Sequence, residues 1–341
     1  CPPRIKPGGA YSDEMIVDIS LSKYCDLIPI ERYSAIAGRE GLEELPQQSL
    51  IEQTHYLADF VEGSYNKLRD ELSVEKLLHA DETPHKMLEG SKNKNWYLWG
   101  FSSKSASYFE IRNTRSGNVA SDFLKKSSCE YLMSDVFSGY AKAIREINID
   151  RRKLKIPLIQ NIYCNSHARR YFKKSKERFP EESKFFLDLY KKIYRLEDIA
   201  GRRLPDRVLR VRRFMAPLFE EMKNYAIENH AAYSSKSSIG KAMSYLLKNY
   251  KELTMFIKNK DLPIDNNHQE RLLRNPVVGR KTWYGTHSKR GAKTAGILFS
   301  LVESCKLNKV NPREYFKKLV ESLHFDKRPF TPNEFKNLAK K

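Results

Sequence analysis

The reading of this chain turns on Pro263-Ile264-Asp265-Asn266-Asn267-His268-Gln269-Glu270-Arg271-Leu272-Leu273-Arg274. Pro263 stops the preceding pattern. Asp265, Asn266 and Asn267 are residue types that cap helix N-termini. The spacing is then helical, and Glu270 and Arg274, four apart, share a face. Alone, the stretch describes a capped surface helix with an ion pair. Two further acids shift that balance. Asp81 follows Leu77-Leu78-His79-Ala80 and Asp135 follows Tyr131-Leu132-Met133-Ser134, and each run reads as a short buried strand. Asp, Asp and Glu drawn from two strand ends and one helix make an oxygen-ligand site for two divalent cations.

Each acid has a plainer use. Asp81 precedes Thr83-Pro84, a turn signal, but a carboxylate straight after an apolar run is costly to bury without a partner. Glu82 competes for the same role. Side-chain alternation admits only one of the pair, and Asp81 is chosen. Asp135 reads equally as a metal ligand or as the N-cap of the next helix.

The chain has 341 residues, enough for more than one domain. No apolar run is long enough to span a bilayer, and no signal peptide is visible. The first residue is Cys1, so a fragment or processed product is expected. Lys and Arg number 62 against 42 Asp and Glu, a formal charge of +20. Such an excess calls for a polyanionic partner, most simply nucleic acid. Five scattered cysteines argue against a disulfide framework and for a reducing compartment. No glycine-rich phosphate loop points to ATP.

Coarse patterning divides the chain into five parts. Residues 1–73 read as a basic Pro/Gly-rich lead-in and an N-terminal helical module, either helix-turn-helix-like or a packing subdomain. Residues 74–179 carry strands at Leu77–Ala80, Asn95–Phe101, Ala106–Arg112, Tyr131–Asp135 and Ile156–Cys164. Helices are expected at Asn118–Lys125, Gly139–Glu146 and His167–Phe179, and Glu89–Lys94 links the first two strands. This is an α/β order matching the mixed sheet of a ribonuclease-H-like core. Residues 180–262 form a large helical insertion, with helices expected over Phe185–Leu196, Val208–Asn229 and Ser238–Lys258. Residues 263–325 return to the core with the third acid, and residues 326–341 are a basic tail.

Around the acids lie further candidates. Cys164 and His167 form a CxxH, half of a zinc site with no second pair; a structural pair, or His167 near a scissile phosphate, is the preferred reading. Arg169, Arg170, Lys173 and Lys174 form a positive patch, which reads equally as a solvated helix face or a phosphate contact. Arg271, Arg274, Arg280 and Lys281 surround Glu270 and would hold a DNA backbone. Trp283 and Tyr284 serve either base stacking or, by preference, core packing.

The motifs His79-Ala80-Asp81-Glu82-Thr83-Pro84, Ser134-Asp135 with Gly139-Tyr140, Cys164-x-x-His167-Ala168-Arg169-Arg170-Tyr171-Phe172 and Ile264-Asp265-Asn266-Asn267-x-x-Glu270-Arg271-x-x-Arg274 resemble those of insertion sequence family 66 transposases. Gly279-Arg280-Lys281-x-Trp283 and Ser300-Leu301-Val302-Glu303-Ser304-Cys305-Lys306 extend the likeness. The resemblance runs from about Lys23 to Phe316. It implies a ribonuclease-H-like core whose DDE triad is Asp81, Asp135 and Glu270, with Asn266, Asn267, Cys164 and His167 in support. It implies Mg²⁺ or Mn²⁺, two ions, and bacterial DNA transposition on the element's terminal repeats and a target DNA. It also implies a homo-oligomer, accessory proteins of the element and a cytoplasmic, nucleoid-associated setting. Val136 stands where the family usually has Gly, and Asn165-Ser166 where it has Trp-Ala. A nuclease that cuts without joining, and a catalytically inactive DNA-binding derivative, are the competing readings.

Overall fold

In a computed structural model, residues 3–42, 45–88, 95–202 and 207–338 are described. The chain is α/β and falls into two compact units, residues 1–129 with 269–341, and residues 130–268.

The first unit begins with α1 (Asp13–Tyr24), α2 (Ile30–Arg39), α3 (Gln47–Phe60) and α4 (Glu62–Ser73). Ser12 caps α1 by accepting the Met15 N–H. The lead-in is turned rather than extended, and the Ile5 N–H bonds the Asp13 carboxylate at 2.9 Å. Three strands follow: β1 (Leu77–Lys86), β2 (Asn95–Ser102) and β3 (Ser107–Arg112), then α5 (Asn118–Leu124). They pair antiparallel as β1–β2–β3. The expected link at Glu89–Lys94 lies outside the described residues.

β1 runs six residues past the expected end at Ala80, so Asp81 sits mid-strand and not at a strand tip. Its outward face turns polar, which ends the apolar run without ending the ladder. Leu78, Ala80 and Glu82 share one face; His79, Asp81, Thr83 and His85 share the other. Pro84 stays in the strand, exposed, where no donor is required of it.

The second unit holds β4 (Tyr131–Ser134), α6 (Ser138–Lys153), β5 (Gln160–Tyr163) and α7 (Asn165–Ser175). β4 and β5 pair parallel, Ser134 opposite Tyr163. β5 is shorter than expected because the residues before it are claimed by α6. Asn148 bonds both the N–H and the carbonyl of Ile159, at 2.9 and 2.8 Å, and Arg151 donates to the Pro157 carbonyl at 2.8 Å. α8 (Pro180–Arg202), α9 (Val208–Arg212), α10 (Ala216–Asn229), α11 (Ser238–Lys248) and α12 (Tyr250–Thr254) form the helical insertion. Of its two later expected helices, the first is broken by a 3₁₀ segment, Arg213–Met215, and the second is broken at Asn249 and ends in a 3₁₀ turn, Met255–Lys258. Its core is aromatic: Phe172 stacks on Phe186 at 4.0 Å, and Phe219 meets Phe256 at 6.1 Å. Arg212, buried, is neutralised by Glu197 and also donates to the Phe256 and Asn259 carbonyls.

α13 (Asn267–Trp283) starts in the second unit and continues into the first, running through a buried Pro276. α14 (Lys289–Asn308) is sheathed in the first unit. Gly296 lies so close to β3 that a Cβ would sit 2.9 Å from the Phe109 carbonyl. Ser300 accepts the Phe109 N–H at 2.7 Å, Ser304 the Ser107 N–H at 2.9 Å, and Asn308 donates to the Ser105 carbonyl at 2.6 Å. A helix stripe thus satisfies the free edge of β3, which would otherwise be a template for strand addition. α15 (Pro312–Phe325) packs on α1, and the expected tail instead forms α16 (Pro332–Leu338) against α14. α1 and α3 also pack on α14, which makes the N-terminal helices part of this unit's core. Among the described residues no helix is long and apolar enough to cross a membrane.

Candidate active site

In the first unit Asp81 is half-buried on the polar face of β1, opposite Gly100 of β2. Directly opposed residues present their side chains on the same face. The start of α13 lies over that face. Gln269 is fully buried, accepts the Ser102 hydroxyl at 2.5 Å, and places Nε2 only 2.2 Å from where a Gly100 Cβ would stand. Glu270, the next residue, is half-buried. Helix and strand therefore bring Gln269, the residue before Glu270, onto the sheet face that carries Asp81. Glu82 points the other way, where Arg115 donates to one of its oxygens at 2.9 and 2.7 Å.

Arg280 reaches the Asp81 face from the far end of α13, with Nη1 3.5 Å from Thr83 Oγ1. Burial lowers its pKa. His85, two residues on, is pushed down to about 4 by burial and then by Arg280, so it is neutral at pH 7. It meets Thr286 Oγ1 at 3.1 Å. Arg271, Arg274 and Lys281 are exposed. Of the two aromatic candidates, Trp283 is half-buried, edge-on to Tyr24 at 6.2 Å and beneath the Lys23 ammonium at 4.4 Å. Burial brings that ammonium down to about 8. Tyr284 is exposed and held at a positive φ of 62°.

In the second unit Asp135 follows the end of β4, and Cys164 follows the end of β5. The Cys164 N–H bonds the Ser134 carbonyl at 3.2 Å, so Asp135 and Cys164 leave the paired strands side by side. The N-cap position of α6 is Phe137, two residues past Asp135. The hydroxyls of Tyr163 and Tyr245 are raised, chiefly by burial, with the Asp135 charge contributing.

The CxxH segment cradles the chain entering α13. Cys164 Sγ accepts the Asn266 N–H at 3.2 Å, and Asn165 donates to the Ile264 and Leu253 carbonyls at 3.1 and 2.9 Å. Asp265 is the hub. Its Oδ2 accepts from Ser166 and Tyr194, both at 3.0 Å, and from Asn267 Nδ2 at 2.7 Å, while Oδ1 takes the Asn267 N–H at 3.1 Å. Cys164 is buried and His167 half-buried one turn further along α7. Arg169, Arg170 and Lys173 are exposed on the same helix, Arg169 lying over the Tyr194 ring at 5.8 Å.

Gly100, Ser102, Gln269, Ser166 and Tyr194 were not among the residues singled out from sequence. Gly100 alone left a signal, since glycine inside a strand marks a bulge or a close approach.

These features define a basic α/β protein with a half-buried carboxylate, Glu270, in the first turn of a helix. Residues 8–294 match the family model described as the IS66 family of transposases, and the chain belongs to that family. It is similar to three curated proteins of Sinorhizobium fredii (strain NBRC 101917 / NGR234). Uncharacterized protein y4hP is 23% identical over 91% of this chain and 59% of its own length. Uncharacterized protein y4jD is 22% identical over 94% and 64%, and uncharacterized protein y4qI 23% over 92% and 60%. The chain therefore spans about 60% of the length of these relatives.

Proposed function

We propose that this chain is a DDE-type transposase built on a ribonuclease-H-like core. It hydrolyses a phosphodiester at the ends of its insertion sequence and joins the freed 3′-hydroxyl to target DNA. Asp81, Asp135 and Glu270 are the ligands of two Mg²⁺ or Mn²⁺ ions. The donor set suits such ions, because hard cations favour carboxylate oxygen and keep several waters. When bound, the ions activate the attacking oxygen and neutralise charge on the phosphate and the leaving oxygen. The observation that carries the reading is the seating of Gln269, the residue before Glu270, over Gly100 on the strand face bearing Asp81.

The rest of the site fits that chemistry. Glu82 is occupied by Arg115 and leaves Asp81 as the strand's metal-facing carboxylate. Arg280 offers a cation two residues along the same face, placed to meet a phosphate. Arg169, Arg170 and Lys173 on α7, with Arg271, Arg274 and Lys281 on α13, track the DNA backbone without reading bases. A homo-oligomer pairs the two element ends.

The test uses duplexes carrying the ends of the encoding element, with Mg²⁺ and a target DNA. Asp81→Ala, Asp135→Ala and Glu270→Ala should each lower strand cleavage by about 10²–10³-fold or more while DNA binding persists. Full cleavage in any one variant removes that residue from the triad. Cleavage by the wild type without joining would make the protein a nuclease. No metal-dependent cleavage at all would leave a DNA-binding derivative.

A further inference from the structure

The residues between Asn267 and Glu270 are not spacers. We propose that Gln269, clamped by Ser102 above Gly100, is the positioning residue that sets the Glu270 carboxylate for metal, and that Gly100 is required because only a residue without Cβ admits it. This rests on Glu270 being a metal ligand, as proposed above.

Gln269 is fully buried, although it lies in the first turn of α13 between a half-buried His268 and a half-buried Glu270. One end of its amide is fixed by Ser102 at 2.5 Å, and the other stands over Gly100. Gly100 is also opposite Phe109 on β3, whose ring would lie 2.9 Å from a Gly100 Cβ. The amide and the ring together fill the space that any other residue's Cβ needs. Four points on one sheet face are thereby tied: Asp81, its partner Gly100, the amide above it, and the helix start carrying Glu270. A fully buried glutamine side chain has few accessible rotamers, so the rotation of this first helical turn about its axis is fixed. Glutamine is otherwise an uncommon choice for a wholly buried position. Groups that hold metal ligands without touching the metal typically alter its affinity by about 10–100-fold when removed.

The experiment measures the Mg²⁺ concentration that half-saturates two signals in the full chain: the thermal stabilisation of the protein and the rate of strand cleavage. Gln269→Met keeps the volume and removes the amide; Ser102→Ala removes the clamp. Both should raise the Mg²⁺ midpoint by about tenfold or more in each signal, with DNA affinity unchanged. Gly100→Ala should do the same, and adding Gln269→Met to it should raise the midpoint no further, because both changes act through one amide. A folded Gln269→Met or Ser102→Ala protein with the wild-type midpoint overturns the proposal. So does a Gly100→Ala, Gln269→Met double variant whose shift is the product of the two single shifts; should Gly100→Ala not fold, Gln269→Met and Ser102→Ala, which add nothing to the contested space, decide. Asp81→Ala separates the two readings. If it cleaves normally, the metal site itself is misassigned; if it is dead while Gln269→Met behaves as wild type, only the positioning role fails.

Discussion

Each of the two units holds its own part of the Pro263–Arg274 stretch, and by different means. In the first, the opening turn of α13 is placed by shape: a glycine vacates space on β2 and a buried amide fills it. In the second, the residues leading into α13 are placed by polar bonds, three donors converging on one oxygen of Asp265 and a backbone N–H on the other. Steric seating tolerates almost no substitution, because packed interiors feel a single added methyl group. A carboxylate hub is cheaper to vary but carries a larger penalty when removed whole, since every donor is stranded at once. One device suits a residue whose rotation must be fixed; the other suits a chain that must only be tethered.

Glu270→Ala tests the comparison most severely. It should cost about 10²–10³-fold in cleavage, as loss of a metal ligand does, while the melting temperature reports what else the side chain holds. A variant that loses stability in proportion to activity would make Glu270 part of the clamp. Asp265→Ala should do the reverse, lowering stability by about 2–3 kcal/mol as Ser166, Tyr194 and Asn267 lose their acceptor. Chemical denaturation reads this directly. If Asp265→Asn costs as much as Asp265→Ala, the charge and not the acceptor geometry is what matters.

The strand face bearing Asp81 makes its own prediction about pH. Burial holds His85 at about 4 in the folded protein, against about 6.5 in the unfolded chain. The unfolded state therefore binds the extra proton first. His85 leaves stability untouched above about pH 6.5 and erodes it as pH falls toward 4, by about 2 kcal/mol at pH 5. His85→Gln should flatten that part of the pH–stability curve; an unchanged slope would mean that His85 is protonated in the fold. The smallest effect belongs to the exposed face of α7. Lys173→Ala should weaken DNA binding equally for all sequences and reduce the salt slope of log affinity by about one. Loss of preference for one sequence would instead show base reading.

Much of the site was legible because it is local. The helix start at Asn267 is written in its capping residues, and β4 ends one residue before Asp135, as its apolar run implied. Element ends were less legible wherever distant side chains decided them. β1 continues to Lys86 because β2 pairs with it that far, not because its residues favour strand. Ile156–Ile159 leaves β5 because Asn148 and Arg151 of α6 take its backbone groups. Trp283 read by preference as a packing residue, and the contacts of Tyr24 and Lys23 with its ring agree with that.

The sequence by itself determined the acids, the basic excess, the helical insertion and the family motifs, since all of these are properties of residue type and short spacing. Only the tertiary structure decided which of Asp81 and Glu82 shares a face with Gly100, where Gln269 is seated, and what occupies the space above Gly100. The reason is range. Capping and periodicity act over a few residues, whereas the Ser102–Gln269 bond joins groups 167 positions apart. Nothing in either neighbourhood encodes that meeting until the chain has packed.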